Sequence, residues 1–450
     1  MRRTRASRLH AAGPLLALLL VGIANLSCGK DAALLKPTPA AIGSSIPLGG
    51  PPTSSGLDFI PTEAVVTIAP GAVLEDFLSA NKLEVVSTLA IPATGFGPAE
   101  VYHLVRSTQN KAIDLEKLSL DGRASSASRH NRVWMPEDDR GGLSFDDDDT
   151  WRLDGDYLSQ PAIPKVKIPE ARAITQGTGE IIAILDTGID AQHPLFVSNS
   201  AQFKLTLNYT VWPPAPGVSE SGNGVDEDQD GVADDGVGHG THVAGIAFTG
   251  ARKAAFLICK VLDDEGRGTA FGLAKAVKAA ADYGAHVINL SLGLHVDDRM
   301  IKHIAQHCAD KGIAVVASAG NRATNALQYP AAYEGVISVA AVDVQDVKPA
   351  FASFGTTVDI AAPGVDIVSP IPSYFGANKY AIASGSSMAA PFVSAAIALN
   401  HARWTATMRP IEAAAGVLSG AVDITAQNPV IPGQLGSGRV DFLRPLQITE

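Results

Sequence analysis

Gly179-Glu180-Ile181-Ile182-Ala183-Ile184-Leu185-Asp186-Thr187-Gly188 holds five apolar residues in a row, closed by a carboxylate and a turn glycine. A run this short, without polar alternation, reads as a strand buried on both faces. Similar runs recur at residues 256–262, 287–292, 313–317 and 336–342, while residues 270–283 and 300–311 read as helices. Strands alternating with helices imply right-handed crossovers and an α/β fold, a mainly parallel central sheet flanked by helices. In such a sheet the functional residues gather where strands end. That singles out Asp186, Asp263 and Asn321, each close behind a strand.

Four segments carry chemistry. Asp186 stands in Leu185-Asp186-Thr187-Gly188; Asp-Thr-Gly is also the signature of pepsin-like aspartic proteases, but those are all-β proteins and need a second such aspartate, which is absent. His239 and His242 stand three apart in Gly238-His239-Gly240-Thr241-His242; a zinc site competes with a catalytic base there, without the glutamate of the metalloprotease spacing. Asn321 ends Ala317-Ser318-Ala319-Gly320-Asn321, where a side-chain amide serves either a turn or an oxyanion. Gly385-Ser386-Ser387-Met388-Ala389-Ala390-Pro391 opens a segment apolar on every face, as expected of a buried helix. Its serines either cap that helix or supply a nucleophile at a terminus that welcomes negative charge. Pro391 is expected in the first turn, where no N–H partner is lost.

In order and in sequence these segments resemble the subtilisin-like serine proteases. Lys260-Val261-Leu262, Asn289-Leu290-Ser291-Leu292-Gly293, Tyr329-Pro330-Ala331 and Ala362-Pro363-Gly364 also look like segments of that family, and the likeness covers about residues 160–446. The resemblance implies a three-layer fold and an endopeptidase with Ser387 as nucleophile, His239 as base, Asp186 as its orienting carboxylate and Asn321 as oxyanion donor; it requires no cofactor for catalysis. Ser291, Leu292 and Gly293, with residues 266–268, would hold a protein or peptide substrate as an added strand. Ala317, Ser318, Ala319 and Gly320 would line a roomy, apolar-tolerant pocket, although Leu294 stands where relatives carry glycine. An exported binding module of the same fold is the competing reading, and the intact quartet argues against it.

The rest of the chain suits a precursor. Residues 1–28 combine Arg2, Arg3, Arg5 and Arg8 with an apolar run and end at Cys28, an export signal whose cysteine resembles a bacterial lipidation site. The product is thus expected outside the cell, or tethered to its envelope through Cys28. Residues 29–56 read as a flexible leader, 57–120 as a small α+β unit similar to the family's inhibitory propeptide, 121–159 as an exposed acidic linker, and 160–450 as the peptidase domain. With 450 residues, 46% hydrophobic and 18% charged, there is ample core. The net charge of -11 gathers in residues 137–149 and 226–235, which disfavours nucleic acid as a partner. Cys259 and Cys308 make no disulfide framework. Within the second acidic stretch Asp226, Asp228 and Asp230 alternate before Gly231, and Asp234 and Asp235 follow; the pattern suits a structural calcium loop or a solvated acidic loop.

Overall fold

A computed structural model describes residues 58–137, 154–211, 214–227, 233–372, 375, 380–404 and 407–447. The export segment with Cys28, the leader, Asp138, Asp139 and residues 146–149 lie outside the described residues, as do Asp228 and Asp230.

The described chain begins with four antiparallel strands, β1 (Phe59–Ile68), β2 (Leu83–Ile91), β3 (Glu100–Ser107) and β4 (Ala124–Trp134), interleaved with helices α1 (Leu74–Asn81) and α2 (Leu115–Leu120). Their side chains alternate between two faces, as a pleated strand requires. Ala64 and Val66 join Phe77 and Leu118 in a small core under the two helices, whereas Val65, Leu89, Tyr102 and Leu104 pack against the larger unit. The fourth strand corrects the expected linker over 121–159. Residues 124–134 are too polar to announce a core element, yet they pair with β1 on one side and with a strand of the larger unit on the other. Backbone pairing on both edges fixes them, with Val133 anchored in the core. Residues 154–159 are helical as well, with Tyr157 fully buried.

The larger unit continues with α3 (Asp154–Ser159), α4 (Ala162–Lys165), α5 (Ile168–Ile174), β5 (Ile181–Asp186), α6 (Pro194–Val197), β6 (Phe203–Asn208), β7 (Ala215–Pro216), α7 (His239–Gly250), β8 (Ala255–Lys260), β9 (Arg267–Thr269), α8 (Ala270–Tyr283), β10 (Val287–Leu290), α9 (Arg299–Asp310), β11 (Ala314–Ser318), β12 (Val336–Val342), β13 (Ile360–Pro363), β14 (Ile367–Pro370), β15 (Tyr380–Ala383), α10 (Ser386–Trp404), α11 (Pro410–Ser419) and α12 (Arg444–Gln447). The main sheet runs β13-β12-β11-β10-β5-β8-β6-β7 and is parallel except for its β7 edge. Ile182 and Ile184 face the core formed with α7 and α10; Ala183 and Leu185 face the one formed with α8 and α9. This is the expected three-layer α/β fold, with β5 central and the strand order reversing around it.

Local chemistry sets the helix ends. Thr269 accepts the Gly272 N–H to start α8, and Gly284, at φ 94°, ends it in the left-handed region. The Asp298 carboxylate caps α9 through Met300 and Ile301, and it also accepts from Asn131 of β4, tying the N-terminal sheet to the larger unit. Helix α10 is buried along residues 386–401, as its all-round apolarity predicts. Pro391 sits in its second turn, not its first. The carbonyl that proline leaves without an i+4 donor belongs to Ser387, and Ser291 Oγ donates to it at 2.9 Å.

Candidate active site

Asp186 closes β5 and His239 opens α7. Their side chains meet at 2.6 Å between Asp186 Oδ1 and His239 Nδ1, both fully buried. The Thr187 N–H donates to the same carboxylate oxygen, fixing its plane. The start of α7 presses on the turn after β5, where a Cβ on Gly240 would lie 2.3 Å from the Gly188 carbonyl. Only glycine allows that approach.

Glu220, buried in the loop before α7, accepts the backbone N–H of Gly240 at 3.1 Å and of Thr241 at 3.0 Å, and the hydroxyls of Thr187 and Thr241 as well. An anion at the positive end of the helix both caps it and anchors His239. Nothing in the sequence pattern near residue 220 signals this. His242 takes a different role: its Nε2 meets the carbonyls of Ile367 at 3.0 Å and Ala381 at 3.2 Å, and burial pushes its pKa down to about 3. Asp263 also stands aside, accepting the N–H groups of Glu265 and Arg267 within its own turn.

Ser387 is the second residue of α10. Asn321, in the loop after β11, accepts the Ser386 N–H through Oδ1 at 2.9 Å, which turns its Nδ2 outward. The group that Nδ2 meets is the side chain of Glu137, three residues beyond β4. Asn321 Nδ2 donates to Glu137 Oε1 at 2.9 Å, Ser387 Oγ donates to Glu137 Oε2 at 2.8 Å, and His239 Nε2 lies 3.3 Å from that same Oε2. The carboxylate is fully buried. Burial alone would depress the His239 imidazolium; Asp186 on one nitrogen and Glu137 on the other outweigh it and hold its pKa well above the ordinary range.

The chain reaches this point as an added strand. Arg132, Val133 and Trp134 pair antiparallel with Thr269, Gly268 and Arg267 of β9. The Met135 N–H extends this ladder to the Gly266 carbonyl at 3.1 Å, and on the opposite edge Trp134 exchanges both backbone bonds with Gly293, at 3.2 and 2.9 Å. Trp134 also stacks edge-on with His295, ring centroids 4.6 Å apart. The strand-forming residues therefore include Gly293, while Leu292 lies in the core and Ser291 uses its hydroxyl on the Ser387 carbonyl.

The pocket segment differs from expectation. Ala317, Ser318, Ala319 and Gly320 are small, but the buried amide of Gln328 fills the space they leave. Gln328 Nε2 donates to the Ser318 carbonyl at 3.2 Å, and a Cβ on Gly293 or Gly320 would collide with this side chain at 2.5 or 2.2 Å. The Gln328 amide makes the space beside this segment narrower and more polar than its small side chains alone suggest. Leu294 is not the cause: it is buried in the core and bonded through its backbone to Tyr329.

In the acidic loop Asp234 spends its carboxylate on the backbone N–H groups of Asn223 and Gly224, at 2.8 and 2.7 Å. Among the described residues no three carboxylates of this loop converge at ion-binding distance. Asp226 and Asp235 carry hard oxygen atoms of the kind calcium takes, and Asp234 also brackets the loop.

The model of the subtilase family matches residues 177–437. Thermitase from Thermoactinomyces vulgaris is 37% identical over 240 residues, 51% of this chain and 77% of thermitase. Subtilisin BL from Lederbergia lenta is 34% identical over 248 residues, 53% of this chain and 82% of that protein. Among solved structures, fervidolysin from Fervidobacterium pennivorans, a keratinolytic enzyme related to subtilisin, superposes with a TM-score of 0.67 at 20% identity. That alignment covers 88% of this chain and 62% of fervidolysin, and it speaks to the fold.

Proposed function

The chain belongs to the subtilase family and is a subtilisin-like serine endopeptidase, and from that premise we propose that it is made as an exported, self-processing precursor whose reaction is carried by Asp186, His239, Asn321 and Ser387. Ser387 Oγ attacks the scissile carbonyl as its proton passes to His239 Nε2. The carbonyl oxygen takes up the electron pair in the place that Glu137 Oε1 holds against Asn321 Nδ2, with the Ser387 N–H as second donor. His239 then gives the proton to the leaving amine, and water resolves the acyl-enzyme by the same steps in reverse. Asp186 keeps the Nδ1 proton in place, which leaves Nε2 as the base. These steps need no metal.

One observation carries the reading: Ser387 Oγ, Asn321 Nδ2 and His239 Nε2 converge on a single carboxylate, as they would on a reacting carbonyl. The same carboxylate supports inhibition by the N-terminal unit, since one oxygen of Glu137 contacts both nucleophile and base. Residues 57–137, extended past the expected boundary at 120, form the inhibitory propeptide, and the first cut falls beyond Glu137. A fluorophosphonate probe tests the assignment. Enzyme freed of residues 57–137 is expected to label at Ser387 and to lose casein hydrolysis in step; hydrolysis that survives full labelling would overturn it.

Substrate follows the path of β4, an extended peptide laid between residues 266–268 and Gly293, with main-chain bonds providing most of the affinity. The Gln328 amide favours small or hydrogen-bonding side chains in the adjoining pocket over large apolar ones. Export by residues 1–28, with Cys28 as a lipid anchor, and calcium held by Asp226, Asp228, Asp230 and Asp235 complete the proposal. Mass spectrometry of the mature N-terminus and melting with and without chelator test those two parts.

A further inference from the structure

At the amino ends of the parallel strands, away from Ser387, three side chains meet that peptide hydrolysis does not use. Glu180 directly precedes β5, His286 directly precedes β10, and His401 lies near the end of α10. His401 Nδ1 stands 2.8 Å and His286 Nδ1 3.1 Å from the same oxygen, Glu180 Oε2, and the three atoms all lie within 4.8 Å of one another. Among the described residues it is the one place where three such groups gather.

A set of hydrogen bonds does not account for all of this geometry. His401 Nδ1 can direct a proton at Glu180. The Nδ1 of His286 also lies 3.2 Å from the Ile181 N–H, so a proton on it would face that donor and a lone pair would face the carboxylate oxygen. Two acceptors at 3.1 Å repel unless a positive charge stands beside both.

We propose that Glu180, His286 and His401 bind a borderline divalent transition metal, with zinc as the ion of choice. Two imidazole nitrogens and one carboxylate oxygen are the donor set such ions prefer, whereas calcium and magnesium take oxygen ligands. Tetrahedral zinc with bonds near 2.1 Å sets its ligand atoms roughly 3.4 Å apart, so to admit the ion the His286 contact opens by about 0.3 Å and the His401 contact by about 0.6 Å. The supports are rigid. Glu180 is held through Gly177 and Ala255, and His286 through Ile181 and Ala314, all by backbone bonds. The side chain of His286 is 33% exposed, which leaves an entry path and room for a water as fourth ligand. Binding competes with the Ile181 N–H for the His286 lone pair and with the proton on His401, so affinity falls short of a fully built structural site. The bound ion would staple β5, β10 and α10 together at the end remote from the chemistry.

The test uses the full chain without a polyhistidine tag, carrying Ser387→Ala to prevent self-digestion and stripped with chelator. Zinc chloride is titrated calorimetrically, and cobalt(II) is followed by visible absorption. One equivalent should bind, raise the melting temperature and, as cobalt, give the intense band of a tetrahedral site. His286→Ala, at a partly exposed position that leaves the core intact, and His401→Gln should each weaken this binding by about tenfold or more and abolish the band. Absence of binding in the parent protein overturns the site, and so does binding that both variants retain unchanged. Because the readout is metal rather than hydrolysis, the result stands apart from the peptidase assignment.

Discussion

The two ends of one sheet hold the same pair of groups and put them to different uses. Strand β5 starts after Glu180 and finishes at Asp186; α10 starts beside Ser387 and carries His401 close to its end. At the carboxyl end Asp186 meets His239 at 2.6 Å, and at the amino end Glu180 meets His401 at 2.8 Å. A carboxylate against an imidazole is therefore no signature of catalysis by itself. What differs is the surroundings. His239 turns its second nitrogen toward the Glu137 carboxylate, which Ser387 and Asn321 also meet, while Glu180 draws a second imidazole onto the same oxygen.

The sharpest way to break this contrast is at Ser387. Ser387→Ala should lower kcat by about 10⁶-fold, the loss established for the triad serine of this family, and Asn321→Ala by about 10²–10³-fold. In the mature enzyme Ser387→Ala should leave the melting temperature nearly unchanged, whereas Asn321→Ala, which strips the buried Ser386 N–H of its acceptor, should lower it by roughly a few degrees. Calorimetry of the Ser387 variant showing a large loss of stability would mean that the carboxyl end is structural as well.

Glu137→Gln asks whether the carboxyl end is held shut by charge. In the full chain it should raise the initial rate of fluorophosphonate labelling by roughly 10²-fold, because a charged acceptor shared by two donors is lost. The pH dependence has a definite sign. Glu137 contributes to raising the His239 pKa, so that part of its hold is complete below the ordinary imidazole value of about 6.5 and disappears as pH rises through the folded value. Labelling of the precursor should accelerate toward alkaline pH, with its midpoint at lower pH in the Gln variant. Identical midpoints would remove Glu137 from the coupling.

Glu180→Gln probes the amino end alone. Stability should fall by about 1–3 kcal/mol, the cost of weakening a buried charged acceptor, with kcat/KM of the mature enzyme unchanged. Its folded pKa lies below the ordinary value of about 4.3, so the contribution is present above that value and is lost as pH falls through the folded one. The difference in melting temperature between parent and variant should therefore be constant at neutral pH and shrink in acid. The smallest effect concerns specificity: Gln328→Ala should shift kcat/KM toward peptides with a large apolar residue before the cut by roughly tenfold. A peptide library read by mass spectrometry would show it.

Much of the carboxyl end was legible in the sequence because its parts sit on buried elements whose residues have few alternatives. The run 181–185 had no polar alternation, and the segment after Ser387 was apolar all round. The rest was hidden by groups that act across long separations. Glu137 heads a run with Asp138 and Asp139 that reads as a solvated linker, and only its spatial meeting with Asn321 gives it meaning. Glu220 and Gln328 are single polar residues in loops, without periodicity to betray burial. Pro391 was readable as tolerated but not why, since the hydroxyl that answers its missing N–H belongs to Ser291, a hundred positions upstream.

Strand β4 belongs at once to the N-terminal sheet and, through β9, to the cleft proposed for substrate. Cutting the chain beyond Glu137 leaves that ladder intact, so severing a covalent bond and vacating the cleft are separate events in time. A population of freshly cut molecules would stay silent until a few shed the strand. Each of those could then digest the shed or loosened strands of its neighbours. Activity in a dense preparation should consequently trace a lag followed by a steep rise, the lag shortening with concentration, as in an ignition rather than a simple decay.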